Sequence, residues 1–193
     1  MSRKNIIYDL DIDIEFLKRA KANIDAHFVQ ANAKNLPFRP RSFDVVICRE
    51  VIEHMDKREG EHLLKEISDV LKTNAILLCS TPNKLSPEGI ISPIILKIFR
   101  KEWNAWDLTH KHIYDIFEFK RLLKNHFRLK DLRGEYYLFL PIPILARVSP
   151  VIFKIFRKIR TVMDTKLGRK QPFNNFGFVI EYLVANTPHE TKI

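Results

Sequence analysis

Apolar and polar positions along the chain fall into two rhythms that take turns. Ile6 to Ile12 begins with apolar residues and runs into Asp9, Asp11 and Asp13. The pattern predicts a strand ending near Leu10, with Asp11 at its carboxyl end. Asp13 can cap a helix that runs to about Ala22 with Ile14, Leu17 and Ala20 inward. A second short strand is predicted at His27–Ala31, then a loop, because Pro37 and Pro40 break any continuing element. Phe43 to Cys48 is β-branched and apolar without alternation, which predicts a strand buried on both faces. Glu59–Lys72 has a helical stripe of Leu63, Leu64, Ile67, Val70 and Leu71. A fourth strand, Ala75–Ser80, ends in Thr81-Pro82-Asn83.

The second half repeats the pattern less cleanly. Helices are predicted at Glu88–Lys101 and Asp115–Asn125, and a strand at Phe127–Glu135. Pro141, Pro143 and Pro150 punctuate the apolar stretch from Leu138, which turns helical at Val151. A polar loop, Gly168–Asn175, leads to a closing strand, Gly177–Ala185. Strand–helix alternation of this kind argues for an α/β fold, a mostly parallel sheet with helices on both faces.

Length and charge narrow the picture. The 193 residues fit one domain spanning the chain. An excess of 33 Lys+Arg over 23 Asp+Glu gives a formal +10, suited to an anionic partner or to a solubilising surface. Much of it lies in two basic amphipathic inserts, about 88–106 and 138–170. There Trp103 and Trp106, or Arg147, Lys154, Arg157, Lys158 and Arg160, flank apolar faces. Such segments suit an anionic membrane surface, or a lid packed on the sheet with its charges in water. RNA is the less favoured partner, because the spacing of Phe153, Phe156 and Phe173 fits a packed helix better than a row of aromatic platforms. Cys48 and Cys79 lie in strands without metal-ligand spacing and read as core thiols in a reducing compartment. No signal peptide or apolar run of about 18 residues is present, so a cytoplasmic location, peripheral at the membrane, is expected.

Glu50, Glu53 and His54 follow directly on the Phe43–Cys48 strand, at spacings that share one face of a helical turn. Ligands of open α/β sheets sit at this edge. His110 and His112 fall after the fourth strand. Their imidazoles could complete a metal site or serve as general base, or be polar loop residues.

Several segments resemble class I S-adenosylmethionine-dependent methyltransferases, of the methyltransferase type 11 and ubiquinone-biosynthesis O-methyltransferase-like kind. Asp9-Leu10-Asp11-Ile12-Asp13 looks like the family's second-strand acidic motif, and Asn32-Ala33-Lys34-Asn35-Leu36-Pro37-Phe38 its Asp-Ala-x-x-Leu-Pro-Phe loop. Ser42–Val46 and Ala75–Asn83 are similar to its fourth and fifth strands. The resemblance covers roughly residues 5–185 and implies a Rossmann-like sheet that binds S-adenosyl-L-methionine. By position, Asp11 would take the ribose hydroxyls, and Ile12, Asn32, Ala33 and Arg49 would complete the cofactor side. The Glu50, Glu53, His54 segment is similar to the part that binds a divalent cation, such as Mg2+, in the ubiquinone-type enzymes and in small-RNA 2′-O-methyltransferases. His54, His110 and His112 become the catalytic candidates.

One departure stands out. The chain opens at what corresponds to the family's second strand, and its five glycines form no Gly-x-Gly loop, so the fold is expected to be truncated at its N-terminal side. Three arrangements are open: the halves close up, a second copy fills the place of the missing strand, or the chain is a truncated product. The expected function is methyl transfer to a small hydrophobic or lipid-linked acceptor, on oxygen before nitrogen or carbon. A non-catalytic, membrane-associated or partner-binding remnant of the fold is the alternative, and RNA methylation a further one.

Overall fold

The structure, a computed structural model, describes residues 5–98, 107–136 and 150–187. It opens with a parallel pair, β1 (Tyr8–Asp11) and β2 (His27–Gln30), joined through α1 (Ile14–Lys21). Asp13 caps α1 by accepting from the Glu15 backbone N–H at 2.8 Å. Lys18, Arg19 and Lys21 in the last turn complement the helix dipole. Leu17 is buried as its spacing predicts, but Ile14 is 42% exposed. A sheet of two strands is too narrow to cover the whole apolar stripe of α1.

Four strands form the second sheet, in the order β3 (Phe43–Arg49), β4 (Leu71–Pro82), β6 (Val179–Asn186), β5 (Phe127–Glu135). β3 runs parallel to β4, whereas β6 is antiparallel to both β4 and β5. The Rossmann-like α/β architecture is therefore present with a mixed second sheet. β4 is longer than the apolar run suggests, because it starts at Leu71, straight out of α2 (Lys57–Val70).

α2 and α4 (Ile116–Lys124) cover one face of this sheet. Leu63, Leu64 and Ile67 from α2, and Phe119 and Leu123 from α4, share a core with Cys48, Leu77, Cys79, Tyr182 and Val184. At about 1.5–3 kcal/mol for each large apolar side chain buried, this cluster is the main source of stability. Its face of β3 holds Val46 and Cys48. The opposite face does not match the sequence expectation, since Val45 is 53% and Ile47 66% exposed. β3 is buried on one side only, because no described helix lies against that row.

β1 and β3 share no backbone pairing among the described residues. Aromatic rings join the two sheets instead. Tyr8 meets Phe43 and Phe38 edge-on at 5.7 Å each, and Phe38 meets Phe43 at 4.8 Å. Tyr8 and Phe43 begin their strands, so β1 and β3 start at the same edge of the molecule.

Two further helices follow the fourth and fifth strands, α3 (Pro87–Ile98) and α5 (Pro150–Leu167). The end of the predicted 88–101 helix, Trp103 and Trp106, and the segment holding Leu138, Pro141, Pro143 and Arg147 lie outside the described residues. Among the described residues no helix is long and apolar enough to cross a membrane.

Candidate functional site at the carboxyl ends of the strands

β3 ends in a tight turn. Glu50 takes a left-handed backbone (φ 53°), a conformation that costs a non-glycine residue about 1–2 kcal/mol. Two contacts hold it there. Its N–H donates to the Ser80 carbonyl at 3.2 Å, and Ser80 Oγ donates to Glu50 Oε1 at 2.7 Å. A 3-10 turn, Ile52–His54, follows, with Ile52 and Glu53 fully buried. Asp56 then opens α2 with a reciprocal capping box to Glu59. The turn is pinned between a strand end and a helix start.

Glu53 is the centre of the site. Its backbone carbonyl accepts from the N–H groups of Lys111 (2.8 Å) and His112 (3.1 Å), which fastens the 107–112 loop to the turn. Its Oε2 accepts from Thr81 Oγ1 at 3.1 Å, while Oε1 has no hydrogen-bond partner among the described residues and lies 4.0 Å from His110 Nε2. Burial, reinforced by the neighbouring Glu50 carboxyl, pushes the Glu53 carboxyl up to about 8. The His54 and His110 rings meet at 4.8 Å. One ligand atom from each of Glu53, His54 and His110 falls within 4.8 Å of the others. Glu50 is not part of that group; burial raises its carboxyl too, and its side chain is held by Ser80.

Hydrogen-bond accounting fixes the tautomer of His54. Thr109 Oγ1 donates its single proton to Asp107 Oδ1 at 2.6 Å. Asp107 also accepts the Thr109 N–H at 2.8 Å, and these bonds hold its carboxyl below the usual range, so it is an acceptor only. Thr109 Oγ1 must then accept at its 2.8 Å contact with His54 Nδ1. Nδ1 is therefore the donor, and in the neutral ring the lone pair is on Nε2.

His112 is turned elsewhere. Its Nε2 is 3.1 Å from Glu118 Oε2 and its ring stands edge-on to Tyr114 at 4.5 Å. It braces α4 rather than joining the cluster.

Of the proposed cofactor residues, Asp11, Ile12, Asn32 and Ala33 sit at or just past the ends of the first two strands, and Arg49 ends β3. Asp11 closes β1, half-buried, and accepts the Asp13 N–H at 2.8 Å through Oδ1. Ile12 beside it is 66% exposed. After β2, Asn32 Oδ1 accepts the Lys34 N–H at 3.0 Å, and Ala33 packs on the core. This loop is stapled to α2 by Lys34 Nζ to Glu59 Oε1 (2.7 Å) and by the Leu36 N–H to Glu66 Oε2 (3.0 Å). Arg49 points the other way, across the sheet to Glu135 (3.5 Å) and Glu181 (3.4 Å) on β5 and β6.

Sequence reasoning passed over Thr81, Asp107 and Thr109. A signal existed for the last two: Asp-Leu-Thr is an Asx-type turn, in which the carboxylate accepts from its own chain two residues on. Nothing in the sequence says that this turn meets His54, 55 residues earlier.

Residues 1–79 match the family described as methyltransferase domain. An uncharacterized protein of Methanocaldococcus jannaschii is 31% identical over 169 residues, which is 86% of this chain and 63% of that protein. A Mycobacterium tuberculosis protein named a probable S-adenosylmethionine-dependent methyltransferase is 29% identical over 103 residues, 51% of this chain and 37% of that one. The chain thus spans less than two thirds of these curated relatives. Among solved structures, a SAM-dependent methyltransferase from Archaeoglobus fulgidus superposes with a TM-score of 0.58 at 16% identity, covering 93% of this chain and 75% of that one. The protein solved in complex with the Trm112 methyltransferase activator of Haloferax volcanii gives 0.59 at 16%, with 94% and 72% covered.

Proposed function

We propose that this chain is a class I methyltransferase, a reading supported by its match over residues 1–79 and by its fold, and that it moves the methyl group of S-adenosyl-L-methionine to an oxygen of a small hydrophobic or lipid-linked acceptor. The observation that carries this reading is the His54 Nε2 lone pair, set beside His110 and the unpartnered oxygen of Glu53 at the carboxyl edge of β3 and β4. The chain's residues fit the methyl donor in kind. Asp11 offers a carboxylate at the end of β1 for hydroxyl donors, and Asn32 an amide whose oxygen can accept from an amine. The bound donor would supply an electrophilic methyl carbon on a sulfonium. His54 Nε2 would take the proton of an acceptor hydroxyl presented to that carbon. Thr109 and Asp107 hold the imidazole in the tautomer that can do so. Most of the rate gain comes from orientation, with the proton acceptor adding about 10²–10⁴-fold.

The same cluster fits a divalent cation. Glu53, His54 and His110 would hold it, and it would lower the pKa of a coordinated hydroxyl. Two imidazoles and one carboxylate suit a first-row transition ion better than Mg2+, which prefers oxygen donors. Metal analysis of the purified protein before and after chelation, with Glu53→Gln as control, reads this directly.

Release of S-adenosylhomocysteine in the presence of hydroxylated lipid extracts tests the activity. His54→Ala should lower it about 10²-fold or more while binding of the methyl donor persists. Release that is unchanged in His54→Ala contradicts the assignment.

A second reading, a non-catalytic partner-binding member of the fold, draws on the edges of β1 and β3, which are unpaired among the described residues. Their occupant would be a strand from a second copy or from a partner protein. The Haloferax volcanii neighbour, solved with an activator protein, is a precedent for a partner.

A further inference from the structure

Helix α5 carries an exposed aliphatic stripe. Val151, Ile155, Ile159 and Val162 are 65, 55, 48 and 43% exposed, and their spacing of i, i+4, i+8 and i+11 lines them along one helix face. Single exposed aliphatics are ordinary on a protein surface, but four in one line call for a partner. Lys154 and Lys158, each one residue before an isoleucine of the stripe, are exposed on its flank. Neither has an ion-pair partner among the described residues. The helix has one acid, Asp164, which is half-buried and falls opposite the stripe.

We infer that the Val151–Val162 face of α5 is a contact surface for an anionic lipid bilayer. The stripe covers 12 residues, about 16 Å of helix, enough to lie in the interface with its aliphatic side down. Lysines beside it reach up along their stems to anionic headgroups. The formal +10 of the chain adds a long-range attraction of the same sign. Charge decides against a second copy, since pairing two such faces sets Lys154 and Lys158 against their own kind. RNA would engage the lysines and leave the aliphatic stripe in water. The inference stands apart from methyl transfer, because it rests on α5 alone.

Co-sedimentation with vesicles tests it. Full-length protein should be retained by phosphatidylcholine vesicles containing phosphatidylglycerol, released by high salt, and not retained by phosphatidylcholine alone. Lys154→Gln/Lys158→Gln should weaken retention about thirtyfold, and Ile155→Ser/Ile159→Ser should weaken it at least as much. All four positions are exposed, so both variants should keep the wild-type circular dichroism and melting point. Should one pair fail to fold, the other carries the test. No retention on the mixed vesicles, or retention unchanged in a folded variant, overturns the inference. A wild-type dimer that Ile155→Ser/Ile159→Ser dissolves also overturns it, as does RNA retention without vesicle retention.

Discussion

Glu53 shows what a single side chain does when a fold buries it without a full set of partners. In the metal-free protein its carboxyl is raised to about 8, first by burial and then by Glu50. Between the ordinary glutamate range and pH 8 the folded state therefore keeps a proton that the unfolded chain has lost. Stability that is complete at low pH is lost as pH rises through that window, at up to about 1.4 kcal/mol per unit. Denaturant midpoints measured from pH 5 to pH 8.5 should fall, and Glu53→Gln should flatten the profile and be the more stable protein at its alkaline end. His54 carries a second residue-scale prediction. Nitrogen-15 NMR of the imidazole should find Nδ1 protonated in the wild type, and Thr109→Val should shift it toward the commoner Nε2–H form. A wild-type ring already protonated on Nε2 contradicts the Asp107–Thr109–His54 chain. Glu53 and His54 were legible because acid and imidazole stand side by side after an apolar run. Thr109 and Asp107 were not, because their loop reaches the turn through tertiary contacts, such as the two backbone bonds to the Glu53 carbonyl, that no local pattern announces.

At the scale of elements, the packing of α2 under the 3-10 turn leaves no room at Gly60. A Cβ there would stand 2.6 Å from Tyr114 Oη and 3.0 Å from Ile52. Gly60→Ala should gain up to about 1 kcal/mol of helix propensity and lose more to overpacking, for a net loss of about 1–2 kcal/mol in urea unfolding. Tyr114 Oη is itself buried without a hydrogen-bond partner, so Tyr114→Phe should be neutral or stabilising. The double variant should recover most of the alanine's cost; additive losses would contradict the packing. The apolar stripe of α2 was plain in the sequence, as was the Phe127–Glu135 strand, because spacing alone defines such elements. β3 misled, because a run without polar alternation reads as buried on both faces, whereas the described helices cover one. Two-sided apolarity records what the strand can accept, not what lies against it.

Over the whole molecule, strand order, the match over residues 1–79 and the resemblance to solved methyltransferases agree, and the alternation of elements was legible from the start. The antiparallel seat of β6 between β4 and β5 was not, since it depends on contacts between segments far apart in the chain, such as Phe127 with Asn186 and Ile76 with Ala185. The edges of β1 and β3, unpaired among the described residues, are the feature with most bearing on function. In the isolated chain, the amides of β3 turned away from β4 should exchange far faster than those of β4 and β6, which are paired on both sides. Equal protection would mean that a second copy or another strand pairs with β3. The central claim, that the ends of β1 and β2 with the turn after β3 receive a methyl donor, is tested most directly by isothermal titration of the folded protein with S-adenosyl-L-methionine. Saturable binding that Asp11→Ala weakens about tenfold or more is the predicted result. No heat at millimolar ligand, from protein whose circular dichroism and melting show it folded, would contradict it.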